Sequence, residues 1–137
     1  CLKFIPEDFY APYFDLTQKE NLNNTDKFIQ TLQLLEVIMP NDSQKDIDFL
    51  VNIFRELLTV FTKPFENEKF DFSSEDFFSE IMQLGERFAK DKDLRNQNGG
   101  RGSKHFIYIN RTFFGLYNLM FDLKSKDVVI DNYKKYI

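Results

Sequence analysis

The stretch from Phe106 to Leu123, FIYINRTFFGLYNLMFDL, is apolar around too much of its circumference to be a simple surface helix. At 3.6 residues per turn, Phe106, Ile109, Phe113, Leu116, Leu119, Met120 and Leu123 form one stripe. Tyr108, Phe114, Tyr117 and Phe121 form a second, aromatic stripe beside it. A helix with two apolar stripes needs cover on two sides, and the rest of a chain this size can supply one. The expectation is that the Tyr108, Phe114, Tyr117 and Phe121 stripe stays open for a partner or for self-association. Two residues interrupt the run. Arg111 is expected to be a buried guanidinium clamping the helix to its surroundings, since a buried cation needs a carboxylate or several carbonyls. Gly115 is expected to mark a close contact, where a larger side chain would overfill the space.

The remaining segments read as further helices. Pro6 to Leu16 carries Phe9, Tyr10, Tyr13 and Phe14 at helical spacing, with Pro12 expected to kink or split it. Asn24 or Thr25 caps a helix through Phe28, Ile29, Leu32, Leu35 and Ile38 that runs until Pro40. Ser43 and Asp46 resemble a capping box ahead of Leu50, Val51, Phe54, Leu57, Leu58 and Phe61. Phe54, Leu57, Leu58 and Phe61 are expected to centre the core with Ile81, Met82 and Phe88. Pro64 to Phe72 reads as an extended connection anchored by Phe65, Phe70 and Phe72, and Ser73 or Ser74 starts the next helix. Gly85 is placed to permit a close helix crossing. Lys90 to Lys104 is a basic, Gly/Asn-rich loop before the closing helix. The fold expected is all-α, an irregular bundle of about five helices. It comprises one domain over residues 1–124 and a tail over 125–137.

Composition narrows the function. With 17 Phe and 6 Tyr among 137 residues, the chain has ample apolar material for a core, so disorder is not expected. A net charge of −4 gives no electrostatic basis for binding nucleic acid. One Cys and one His supply neither a disulfide framework nor a transition-metal cluster. No apolar run reaches the roughly 18 residues of a membrane span. Cys1 leaves two origins open: a cut through a longer chain, or the processed terminus of a lipid-anchored envelope protein.

Three segments, in order, carry a family resemblance: CLKFIPEDFYAPYF, TKPFENEKFDFSSEDFFSEIMQL and INRTFFGLYNLMFDLKSK. Together they resemble the C-terminal region of the AarF/UbiB family of atypical kinase-like proteins, and the match covers most of the chain. The resemblance implies a helical extension of a protein-kinase-like C-lobe. The implied parent binds ATP and magnesium, has ATPase or kinase-like activity and is linked to isoprenoid quinone biosynthesis. It would lie in the cytoplasm, peripheral to the inner membrane. The family's nucleotide-binding Lys, catalytic-loop Asp and metal-binding Asp-Phe-Gly are not in this sequence. The chain alone is therefore expected to be no enzyme and to hold no cofactor, with the upstream kinase-like lobe as its main partner. The alternative is an independent helical interaction module with an aromatic binding surface.

Four local features invite chemistry and read more simply as structure. Asp71-Phe72-Ser73 resembles a metal-binding Asp-Phe-Gly but precedes a helix cap, which suits a turn and helix N-terminal charge. Gly99 to Ser103 lacks the ending of a phosphate-binding loop and reads as a linker with Ser103 as cap. His105 has no nucleophile or carboxylate beside it in sequence and reads as a surface residue of the first helical turn. Asn23, Asn41 and Asn110 open glycosylation sequons that read as chance matches without secretion.

Overall fold

The computed structural model describes residues 4–90 and 104–130. Among these residues the chain is all-α, with six α-helices and one isolated β-bridge.

Helix α1 spans Glu7–Thr17 and begins after the extended Pro6, with Glu7 and Asp8 complementing the positive end of the helix dipole. Pro12 lies inside α1 without splitting it. An interior proline costs about 3 kcal/mol. Burial of Phe9, Tyr13 and Leu16 on the same helix offsets that cost, at about 1.5–3 kcal/mol for each fully buried large apolar side chain. The short α2, Lys19–Asn23, turns the chain into α3, Thr25–Leu34, where the Asn24 side chain accepts from the Lys27 amide at 3.2 Å.

The apolar periodicity predicted that α3 would run on to Ile38. It stops four residues earlier because Glu36 adopts a left-handed conformation, φ 61°. The amides of Glu36 and Val37 turn back to the carbonyls of Gln33 and Leu32 at 3.0 and 2.9 Å, which is a Schellman cap. The cap drives Leu35, Val37 and Ile38 into the core, and that burial outweighs the strain of a non-glycine residue at positive φ.

Helix α4, Gln44–Thr62, is the central element and buries seven residues from Leu50 to Phe61. Its cap is half of the capping box expected: Ser43 Oγ accepts from the Asp46 amide at 3.2 Å and donates to the Asp46 carboxylate at 2.7 Å. The shorter Asp side chain binds the hydroxyl in this arrangement. A 3₁₀ turn, Lys63–Phe65, with buried Pro64, follows directly. Helix α5, Glu75–Lys90, starts at Ser74, whose hydroxyl accepts from the Phe77 amide at 3.4 Å.

Helix α6, Lys104–Asp122, lies antiparallel to α5. The ring of Phe121 stacks on Phe78 at 3.9 Å, and a Cβ on Gly85 would stand 3.6 Å from Phe114. Phe54 on α4 reaches both partners, Phe88 on α5 at 6.1 Å and Phe106 on α6 at 5.2 Å. The core expected around α4 is present in Phe54, Leu57, Leu58, Phe61 and Ile81, with Phe88 partly buried. Met82 departs from expectation and is 43% exposed. It sits one residue past the buried Ile81, and the turn of α5 carries it outward.

Beyond α6 a second Schellman cap forms at Lys124, φ 52°, with the Ser125 amide bonded to Met120 O at 3.0 Å. The chain then returns along the connection before α5. Phe70 and Val128 exchange both amide bonds, at 2.9 and 3.0 Å, and the Phe72 amide donates to Ser125 O at 2.9 Å. The first residues of the segment set apart as a tail thus pair with the domain, while Tyr133–Ile137 lies outside the described residues. No helix among the described residues is long and apolar enough to cross a membrane.

Candidate functional site

Helix α6 holds all six residues singled out in the sequence, and the structure divides them between its two sides. Tyr117 is buried, with Phe61, Phe72, Phe77 and Phe113 packed round its ring at 5.5–6.1 Å. Its hydroxyl donates to the carbonyl of Phe61 at 2.6 Å, satisfying one of the free carbonyls in the last turn of α4. Burial, and after it the nearby Tyr13 phenol, push the Tyr117 pKa well above the usual phenol range. Phe114 is partly buried on Phe61 at 5.0 Å, facing Gly85. Phe121 is held between Phe78 on one side and the Lys124 ammonium, 4.0 Å from its centroid.

Three of the four aromatics expected to stay open therefore face inward. Tyr108 alone of that stripe is exposed, at 55%. The open side of α6 carries Leu116 and Leu119, each 51% exposed, and Leu123 at 66%. The reason is angular. Phe106 and Tyr117 are eleven residues apart and so lie within about 20° of each other, which sets the buried meridian between the two stripes. Each stripe then contributes its nearer members to the core: Phe113 from one, Phe114 and Phe121 from the other.

Arg111 and Gly115 are corrections. Arg111 is exposed, not buried. Gly115 is also exposed, and a Cβ there would meet nothing within 4 Å, so it makes no close contact among the described residues. Gly85, the other glycine expected at a close crossing, faces the Phe114 ring at ordinary contact distance, so a methyl there is accommodated. The guanidinium clamp belongs to Arg55 on α4, which sequence reading passed over. Its Nε donates to Leu22 O at 2.8 Å and its Nη2 to Thr25 Oγ1 at 3.0 Å, over the Phe28 ring at 5.2 Å. Its place at the edge of the α4 apolar stripe was the available signal.

The other candidates resolve locally. Asp71 Oδ1 accepts from the Ser73 hydroxyl at 2.6 Å and its amide at 2.9 Å, an Asx turn leading into Ser74. These two bonds, side chain first, hold the carboxyl below the usual carboxylate range. His105 is partly buried instead of on the surface, with its ring 5.4 Å from Phe9. Its Nδ1 has no hydrogen-bond partner among the described residues. Gly99 to Ser103 lies outside the described residues. A cavity of about 290 Å³ opens between α1, α4 and α6, walled by Tyr13, Phe14, Leu58, Phe61, Phe65 and Phe113.

Comparison with protein-family models, curated proteins and solved structures finds no match to this chain. The reading of function therefore rests on how the segments of the sequence meet in space, and they meet on α6. Phe9 and Tyr13 of the first segment reach its N-terminal half: the Tyr13 hydroxyl donates to Asn110 Oδ1 at 3.3 Å, and its ring meets Phe106 at 5.8 Å. The middle segment reaches the C-terminal half through Phe65 on Phe113, Phe72 and Phe77 on Tyr117, and Phe78 on Phe121.

Proposed function

We propose that this chain is a non-catalytic C-terminal helical domain that supports or regulates an AarF/UbiB-like atypical kinase or ATPase, of a family linked to isoprenoid quinone biosynthesis. One observation carries the reading: of the three segments that resemble the family, the first and second, far apart in sequence, both pack on α6, which the third largely forms. Segments that pack on one another would be kept together in a parent protein as a unit. In this reading ATP and magnesium belong to the kinase-like lobe upstream, and this domain contributes rigidity and surface. The parent works in the cytoplasm, peripheral to the inner membrane.

The test is to express the longer reading frame beside this chain and titrate both with Mg-ATP by calorimetry. The longer protein is expected to bind saturably and this chain not to bind. Saturable binding by this chain, abolished in Asp71→Ala, overturns the assignment and restores Asp71 as a metal ligand. A reading frame lacking the nucleotide Lys and catalytic Asp upstream also overturns it. The second reading, an independent helical interaction module, then takes over, favoured by the open leucine side of α6.

A further inference from the structure

The open side of α6 has a pattern that goes beyond the reading above. At 100° per residue, Leu116, Leu123, Thr112 and Leu119 fall within about 60° of one another, with Gly115 beside them. Arg111 and Asp122 are both exposed on the Gly115 flank of this strip. Eleven residues apart, they share a direction to within about 20° and stand about 16 Å apart along the axis. Neither enters an ion pair among the described residues.

A strip of leucines half open to water is a surface awaiting cover, and the flanking charges bear on what covers it. A cation and an anion on one flank, on either side of the strip's midpoint, are complementary to their own image after a half-turn. In an antiparallel pair of α6 helices the same flanks face each other. When the axis passes between Leu116 and Tyr117, each Arg111 meets Asp122 of the second copy. Gly115 lies next to that axis with open space above it, so the two backbones can approach where the leucines interdigitate. We infer that this face binds a second copy of the chain as an isologous, antiparallel α6 pair. The charges give the pair its register and the leucines its stability.

Sedimentation of the full chain up to concentrations on the order of 100 µM tests this. A dimer is expected, and Leu119→Asp should leave it monomeric with an unchanged helical spectrum. Arg111→Asp and Asp122→Arg should each weaken the dimer by roughly tenfold, since like charges replace opposite ones twice over. The combined variant Arg111→Asp, Asp122→Arg should recover to within about twofold of the original, because the swap restores both pairs. Both charge positions are exposed, so the swap reads the interface even where Leu119→Asp disturbs folding. A chain monomeric throughout overturns the inference, as does a dimer indifferent to Leu119→Asp or not recovered by the double swap. A monomer whose strip is instead covered by the upstream lobe in the longer protein overturns it too, and assigns the face to that lobe.

Discussion

Helices α4 and α6 are both nineteen residues long, and both read as apolar in sequence, yet they are used differently. Helix α4 is walled by α1, α3, α5 and α6, and its buried side chains point to several of them. Among the described residues helix α6 is covered on one side only, and Phe106 and Tyr117 are its two buried large side chains. The aromatic density of α6 is the greater of the two, so apolar content did not set burial. Position in the bundle did. A helix in the middle can have every apolar stripe covered, whereas one on the rim keeps its surplus on display.

The largest expected effect lies where the two helices meet. Phe61, almost fully buried on α4, touches Phe113, Phe114 and Tyr117 of α6. Phe61→Ala should cost about 3–5 kcal/mol in urea unfolding, and Leu119→Ala on the open side less than about 0.5 kcal/mol in the monomer. Comparable losses at the two sites would break the contrast between covered and open sides.

Helices were legible in the sequence because periodicity, caps and prolines act within a few residues. Ser43, Ser74 and Asn24 cap as their types suggest. What escaped was set at longer range. The left-handed turns at Glu36 and Lys124 use non-glycine residues; the first is followed by burial of Val37 and Ile38 in the core, the second by the pairing of Ser125 and Val128 with Phe72 and Phe70. The choice of α6 side depended on where α4 and α5 lie, which no local pattern encodes. Arg111 stood out because it interrupts an apolar run, whereas Arg55 did not, yet Arg55 bonds across thirty-three residues of sequence to Leu22.

The two arginines give the next prediction. Arg55→Ala should cost about 1.5–3 kcal/mol, through hydrogen bonds from a charged donor. Arg111→Ala should change monomer stability by no more than about 0.5 kcal/mol. Chemical denaturation of both variants checks this, and equal effects would mean that α6 is clamped from its outer side after all.

The buried phenols sharpen the comparison by pH. Burial raises the Tyr13 pKa, and burial followed by Tyr13 raises that of Tyr117, both above the ordinary 10.0. A raised folded pKa means the unfolded chain releases its protons first as pH rises. The stability these groups contribute is thus whole below about pH 10 and is lost above it. Tyr117→Phe should flatten that alkaline decline. Near neutral pH it should cost about 1–3 kcal/mol by leaving the Phe61 carbonyl without its donor. Tyr108→Phe, on the open side, should leave the alkaline limb of a melting-temperature profile unchanged.

The smallest effect concerns the two glycines, and here the sign differs from the first expectation. The apolar run around Gly115 predicts a tight contact that Leu would overfill, but among the described residues the space around it is open. Within the monomer, Gly115→Ala should therefore stabilise by about 0.8–1 kcal/mol, the ordinary gain of replacing an exposed helical glycine. Gly85 differs in kind, since its new methyl would meet Phe114 at 3.6 Å, an ordinary contact that adds packing to the propensity gain. Measured at low concentration, Gly115→Ala should raise the melting temperature. At high concentration the same methyl would stand between the two α6 backbones and take back part of that gain by weakening the pair. A gain at Gly115 that is the same at all concentrations would mean that nothing approaches α6 there, and that the room over Gly115 serves no second copy.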